Sequence, residues 1–310
     1  MAANSGHPQT TGLETFRLFA SDEKTNPGLG FLNFSETPSP PPPPCVEVLS
    51  TEVSSSVKYF VEPVKLGELT FMKGRVSTQE VFALSNSDLI PGKYEGGLKL
   101  WEGSLDLIRS LCSEVQNGHL SMKGKRVLEL GCGHGLPGIF ACLEGAALIH
   151  FQDFNAEVLQ CLTIPNVYAN ISKDDQTSVT KSSEWNCKAE VRFFSGDWRE
   201  VHKLLRKADN EKGTNSSGVD PTPGYDIILM AETVYSTSNL QALYDLIKKC
   251  MSRPYGVTYM AAKKHYFGVG GGSRRFLSVV EKGGVMAAEL VAEVTDGSSN
   301  VREVWKLSFK

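Results

Sequence analysis

Val127-Leu128-Glu129-Leu130-Gly131-Cys132-Gly133-His134-Gly135 decides how the rest of this chain is read. Four residues with the character of a buried strand run straight into three glycines at alternate positions, followed by Leu136, Pro137 and Gly138. Glycine lets backbone approach a ligand closely and adopt positive φ. Just past the turn, Ile139-Phe140-Ala141-Cys142-Leu143 predicts a helix. Strand, glycine loop and helix N-terminus in that order form a pocket for an adenosine-type cofactor at a strand's carboxyl end. The next strand, from Ala147 to Gln152, ends at Asp153. A carboxylate about 20 residues after such a loop can accept both ribose hydroxyl protons.

Gly133-His134-Gly135-Leu136-Pro137-Gly138 also matches the G-x-G-x-x-G pattern of dinucleotide sites, which alone is weak evidence. Here an acidic residue, Glu129, lies inside the strand two positions before the first glycine. That arrangement resembles the S-adenosyl-L-methionine loop of class I methyltransferases more than a pyrophosphate loop. A sulfonium cofactor carries no phosphate, so the glycines would make room for its amino-acid tail, and Glu129 would add negative field near the cationic end. A nicotinamide or flavin oxidoreductase and a purely structural turn are the competing readings.

Working outward, strands are expected at 127–130, 147–152, 190–194, 225–231 and 256–262. Helices are expected at 136–144, 155–169, 198–207 and 238–252. Such alternation implies right-handed βαβ units around a parallel sheet. The end breaks the rhythm: 287–294 and 300–309 are separated only by a short Asp296-Gly297-Ser298 turn and should pair antiparallel. The expected fold class is therefore α/β: a seven-stranded, Rossmann-like class I methyltransferase sheet with an antiparallel C-terminal hairpin, over residues 96–310. Polar stretches at 172–186 and 208–223 read as surface insertions. Upstream, Ser104 is a plausible N-cap for a helix that places Leu105, Ile108, Cys112 and Val115 on one face. Residues 56–95 form a β extension, with Val57, Tyr59 and Val61 alternating and Leu69 and Phe71 following. Residues 1–55, with the run Pro40 to Pro44, read as a disordered proline-rich arm, a spacer or partner-binding linker tethered at most at Phe16, Leu18 and Phe19.

Bulk properties narrow the function. With 41% apolar and 22% charged residues, the composition is that of an ordinary globular protein. A net charge of −3 gives no electrostatic footprint for nonspecific nucleic-acid binding. No apolar run reaches the roughly 18 residues of a membrane span. Residues 1–12 lack the apolar core of a secretory signal. The seven cysteines show no metal-ligand spacing and read as buried free thiols of a reducing compartment. No metal is expected, and the chain is expected to be a monomer of cytoplasm and nucleus, including the nucleolus. Cys132 reads as a small filler beneath the cofactor.

Each strand of a doubly wound sheet delivers its end to one edge, where ligands bind. The first brings Gly131 and Gly133; the second, Gln152, Asp153 and Phe154. After the third comes Gly196-Asp197-Trp198, an Asp for the adenine amino group and a Trp for its face, unless Trp198 only anchors a helix start. The fourth ends Ala231-Glu232-Thr233-Val234-Tyr235, above the reactive methyl. Trp101 and Glu102 lid the cofactor, or Trp101 serves domain packing. His265-Tyr266-Phe267, ahead of Gly268 to Gly272, suggest a shaped loop at the substrate mouth. His265 itself reads as a structural histidine, a base or a ligand. His134 reads as partly exposed and incidental.

Glu232-x-x-Tyr235 looks like the acidic-x-x-Tyr signature of the family 16 protein methyltransferases. Gly96 to Glu102, His150 to Asn155, Phe193 to Trp198 and His265 to Gly272 together are more specific. They resemble the histidine protein methyltransferase 1 homologues over roughly residues 56–310. The resemblance implies S-adenosylmethionine-dependent methylation of a protein histidine, on the tele nitrogen, in ribosomal protein L3, and hence a part in ribosome biogenesis and translation. It implies cofactor contacts at Leu100, Trp101, Glu102, Gly103, Ser104, Glu129, Gln152, Asp153, Phe154, Gly196, Asp197, Trp198 and Ala231. Two positions depart from the family pattern: a family Asp is Glu129 and a family Ser is Ala231. The proline-rich arm has no counterpart. A neutral imidazole, with a pKa near 6.5, already has a lone pair at neutral pH, so its methylation needs the correct tautomer rather than a strong base. Glu232 or Tyr235 would accept the proton on the far nitrogen or position substrate backbone. A lysine methyltransferase of the same family and a non-catalytic adapter are the alternatives.

Overall fold

The structure is a computed structural model that describes residues 41–84, 87–171, 188–210, 224–295, 297 and 300–310. The expectations for residues 1–40, for most of the two polar insertions and for Asp296 and Ser298 fall outside the described residues. In chain order the elements are β1 (Val46–Val48), β2 (Phe60–Leu66), β3 (Leu69–Arg75), α1 (Thr78–Phe82), α2 (Glu102–Gln116) and β4 (Arg126–Leu130). Then come α3 (Leu136–Leu143), β5 (Leu148–Asp153), α4 (Ala156–Val158), a π turn at Leu159–Thr163, α5 (Ile164–Ile171) and β6 (Glu190–Ser195). The chain finishes with α6 (Val201–Asn210), β7 (Ile227–Ala231), α7 (Leu240–Cys250), β8 (Val257–Lys263), α8 (Ser273–Gly283), β9 (Met286–Val294) and β10 (Arg302–Phe309).

One sheet runs in the order β1-β6-β5-β4-β7-β8-β10-β9. Strands β6, β5, β4, β7 and β8 are mutually parallel, and β10 pairs antiparallel with both β8 and β9. This is the expected class I methyltransferase arrangement with its terminal hairpin, widened from seven strands to eight. The extra strand is β1, antiparallel to β6 with Val46 opposite Ser195. It lies inside the stretch read as a disordered arm, so that boundary moves toward the N-terminus. Three residues are too short for a periodic signal, but Val48 is buried and Glu47 forms a two-pronged bond with Arg192 at 2.6 and 2.7 Å.

Strands that alternate side chains between two apolar faces must be covered on both. Val127, Ile149, Leu229 and Tyr259 face Leu107, Ile108, Ile139 and Phe140, while Leu128, Leu130, Ile228 and Met230 face Leu243, Ile247 and Phe276. A helix–sheet–helix sandwich results. Among the described residues no helix is long and apolar enough to cross a membrane.

Three local readings need correction. Helix α2 begins at Glu102, with Trp101 in extended geometry (φ −91°, ψ 141°) as its cap, so Ser104 lies inside the first turn. Helix α8 follows Gly272 directly and was hidden behind a glycine run, although Phe276 and Val280 bury one face. Among described cysteines, Cys45, Cys112, Cys132, Cys161 and Cys250 are free, whereas Cys142 is disulfide-bonded and departs from the reading of all seven as free thiols.

The hairpin β2–β3 packs outside the sheet and reaches the glycine loop through one side chain. Asn166 on α5, fully buried, accepts from Tyr59 Oη at 2.8 Å and the Gly74 amide at 2.6 Å, and donates to His134 O at 2.9 Å. Buried amides left without such partners cost about 1–3 kcal/mol each, so these bonds hold the extension in place.

Candidate active site

The order of strands reverses on either side of β4, where a doubly wound sheet opens a crevice at its carboxyl edge. A cavity of about 660 Å³ lies there. The glycine loop forms its floor. At Gly133, φ is 48° and a Cβ would come within 2.9 Å of Gly97 O, so both conformation and space require glycine. The π turn after α4 serves this loop: Thr163 donates from Oγ1 to Gly133 O at 2.6 Å. Wide turns of this kind recur at functional sites.

Asp153, at the end of β5, is 4% exposed and lines the cavity. Oδ2 accepts from the Gly133 amide at 2.9 Å and Oδ1 from the Asn155 amide at 3.1 Å. Burial pushes its carboxyl up to about 6, against the pull of those amides. A ligand offering two hydroxyl donors would supply what this carboxylate lacks. Gln152 sits behind it as a clasp. Its Nε2 donates to Asp153 O at 2.8 Å and Gly196 O at 2.9 Å, while Oε1 accepts from Trp198 Nε1 at 2.9 Å. Two strand ends and the Trp198 ring are thereby set by one fully buried amide.

Trp101, Ser104, Gly131, Gly133, Asp153, Phe154, Gly196, Asp197, Trp198, Ala231, Glu232 and Tyr235 all line the cavity. Trp101 is held over it by Nε1 donating to Gly96 O at 3.0 Å. Asp197 accepts from the Arg199 amide at 2.7 Å and pairs with the Arg199 guanidinium at 2.9 Å. Other expected contacts stand back from the wall. Glu129 is buried beneath the loop, where its Oε2 accepts from the Gly138 amide at 2.7 Å. There it secures the start of α3, and burial raises its carboxyl well above the usual range. Leu100 packs into the core, and Glu102 points outward, 65% exposed, in an ion pair with Arg302. Gly103 is spaced by Glu232, whose Oε1 would lie 2.6 Å from any Cβ there.

Two tyrosine–carboxylate pairs stand by the cavity, lined by Glu95, Tyr235 and Glu232 with Tyr266 behind Glu232. Tyr266 donates to Glu232 Oε2, and Tyr235 donates to Glu95 Oε2. Their rings meet edge to face, with centroids 6.4 Å apart. Burial and the adjacent carboxylates push both phenols well up, so both remain donors. Glu232 adopts φ 57°, a left-handed conformation rare outside glycine, and burial raises its carboxyl. Sites often store such strain. His265 and Phe267 are exposed and off the cavity wall; only Tyr266 of that trio reaches the site, and Val269 lines it instead.

Thr233, named only within the strand end, lines the cavity with its Oγ1 buried and no partner among the described residues. Sequence reasoning missed Glu95, on a loop without periodic signal. It also misplaced His134, which is 4% exposed and lines the cavity. His134 Nε2 donates to Leu98 O at 3.2 Å, and burial lowers the ring to about 4, keeping it neutral. Among the described residues no group of three or more His, Cys, Asp or Glu could hold a metal.

Comparison with known proteins follows the same lines. No family model matches the chain. A histidine protein methyltransferase 1 homologue of Dictyostelium discoideum is 40% identical over 227 residues, 73% of this chain and 62% of that protein. The Mus musculus homologue is 37% identical over 73% of this chain and 60% of that protein. The chain thus spans about three-fifths of the length of these curated relatives. A lysine methyltransferase of Danio rerio, METTL21A, is 32% identical over a shorter stretch, 46% of this chain and 51% of its own length. Among solved structures, a putative methyltransferase from Streptococcus mutans superposes with a TM-score of 0.47 at 14% identity, covering 80% of this chain and 55% of that one. Over the portion they share, the chain is similar in sequence to the histidine protein methyltransferase 1 homologues.

Proposed function

We propose that this protein is an S-adenosylmethionine-dependent protein-histidine N-methyltransferase. The observation that carries the reading is Asp153: a buried carboxylate with no cationic partner among the described residues, aimed into a glycine-floored cavity, as a ribose diol requires. Gly131 and Gly133 would pass the amino-acid tail of the cofactor, Phe154 and Trp198 would flank its adenine, and Trp101 would cover it. When bound, the cofactor supplies a methyl group already activated on a sulfonium. The chain therefore has to orient the acceptor and exclude water rather than create a strong nucleophile. Tyr235, which also lines the cavity, would hold the target side chain. The exposed Phe267, on the same loop as Val269, would touch the substrate protein outside the cavity.

The names of the relatives support histidine as the target, and an uncharged ring suits a site whose donors are neutral phenols. We further propose that the target lies in ribosomal protein L3, on the tele nitrogen, and that the protein acts as a monomer in cytoplasm, nucleus and nucleolus during ribosome assembly. A lysine target is the second reading, favoured by the resemblance to METTL21A. A lysine ammonium would first have to lose a proton, near pKa 10.4. Calorimetric titration with S-adenosylhomocysteine tests the cofactor: binding is expected, and its absence would favour a non-catalytic adapter.

A further inference from the structure

The two tyrosine–carboxylate pairs are not equivalent. Glu232 is used up: Oε2 takes the Tyr266 proton, and Oε1 is sealed from solvent against Gly103. Glu95 and Tyr235 are half-buried and both line the cavity. Glu95 is firmly placed. Its Oε1 accepts from the Gly92 amide at 2.7 Å, and its own amide donates to Asn155 Oδ1 at 3.1 Å. Asn155 donates from Nδ2 to Lys93 O at 2.8 Å and from its amide to Asp153 Oδ1 at 3.1 Å. The carboxylate behind Tyr235 is thus tied to the ribose-binding end through one asparagine. On the opposite side, the Gly271 amide donates to Tyr235 O at 2.9 Å.

We propose that Glu95 is a positioning residue that, through Tyr235, selects the tautomer and orientation of the acceptor imidazole. The inference rests on the histidine-methyltransferase reading and deepens it. Tyr235 spends its proton on Glu95, so its oxygen offers lone pairs to the cavity. An imidazole ring presents one N–H donor and one bare nitrogen. With the N–H given to Tyr235 Oη, the bare nitrogen must face the methyl donor. Its lone pair forms the nitrogen–carbon bond as the carbon–sulfur bond breaks, and that bond's electrons stay on sulfur. The proton of the far nitrogen then passes to Tyr235 as Tyr235 hands its own to Glu95, which releases it to water. The neutral methylated ring has no N–H left to donate, so its hold on Tyr235 is lost and the product is free to leave.

The test uses the full chain saturated with S-adenosylhomocysteine and titrated with 15N-labelled 4-methylimidazole, followed by nitrogen NMR. The wild type should bind the ring as one tautomer. Tyr235→Phe and Glu95→Gln should weaken binding about tenfold or more and restore the mixed-tautomer signal of free 4-methylimidazole. Their affinity for S-adenosylhomocysteine should stay unchanged, which also reports that they fold. Variants that bind the ring as the wild type does, or a wild type that binds it weakly or as mixed tautomers, would overturn the proposal. A wild type that fails to bind S-adenosylhomocysteine would instead sink the methyltransferase reading itself.

Discussion

The two ends of the cavity are built by different means. At the proposed cofactor end, Gly131, Gly133, Gln152 and Asp153 lie within or just after two adjacent parallel strands, and backbone amides do much of the work. At the proposed acceptor end, Tyr235 meets Glu95 from 140 positions away and Tyr266 meets Glu232 from 34 away, side chain to side chain. A universal small molecule can be held by rigid backbone, because its shape never varies. A particular target side chain needs donors and acceptors of chosen charge, which only side chains on loops provide. Damage to the first end should therefore abolish binding, whereas damage to the second should spare the cofactor and alter turnover.

The largest effect should come from Gly133→Val. A β-branched residue in left-handed geometry costs about 1–3 kcal/mol, and the Gly97 carbonyl leaves no room for it. Calorimetry should show affinity for S-adenosylhomocysteine falling at least roughly a hundredfold. Next comes Asp153→Asn, expected to weaken the same binding about tenfold to a hundredfold.

Asp153 also sets a pH dependence. With its carboxyl raised to about 6 from a usual 3.8, the ligand-free fold holds a proton that the unfolded chain has lost between those values. Stability should accordingly decline as pH rises through that window and level off above it, a decline absent in Asp153→Asn on urea denaturation. The charged carboxylate is the better diol acceptor, so wild-type cofactor affinity should fall as pH drops below about 6.

The sequence made the first end legible and left much of the second obscure, for a physical reason. A glycine loop between strand and helix is local, and its partner Asp153 follows at the end of the neighbouring strand. Gln152 and Trp198 were named as contacts, yet that they clasp each other behind the pocket is a property of the packed structure. Glu95 stood in a loop with no pattern to mark it. Glu129 reads as an electrostatic contributor from its place in the motif, and that its carboxyl also accepts from the Gly138 amide is a property of the packed loop. Strand β1 was invisible because three residues carry too little periodicity.

Smaller effects should sharpen the contrast at the acceptor end. Tyr266→Phe removes the donor to Glu232 and should lower methyl transfer by roughly tenfold while leaving cofactor affinity within about twofold, compared by single-turnover kinetics and calorimetry. The smallest change is expected for Phe267→Ala, 67% exposed in the wild type. It should raise KM for a protein substrate by a few-fold, on the order of 1 kcal/mol, without touching transfer to a free histidine peptide.

One measurement goes to the centre of the account. The protein is incubated with cell lysate and a donor labelled in its methyl group, and the labelled protein is hydrolysed and its amino acids separated. Label in tele-methylhistidine is the predicted result. Label in methyl-lysine, or none in any protein under conditions where the cofactor binds, would contradict it.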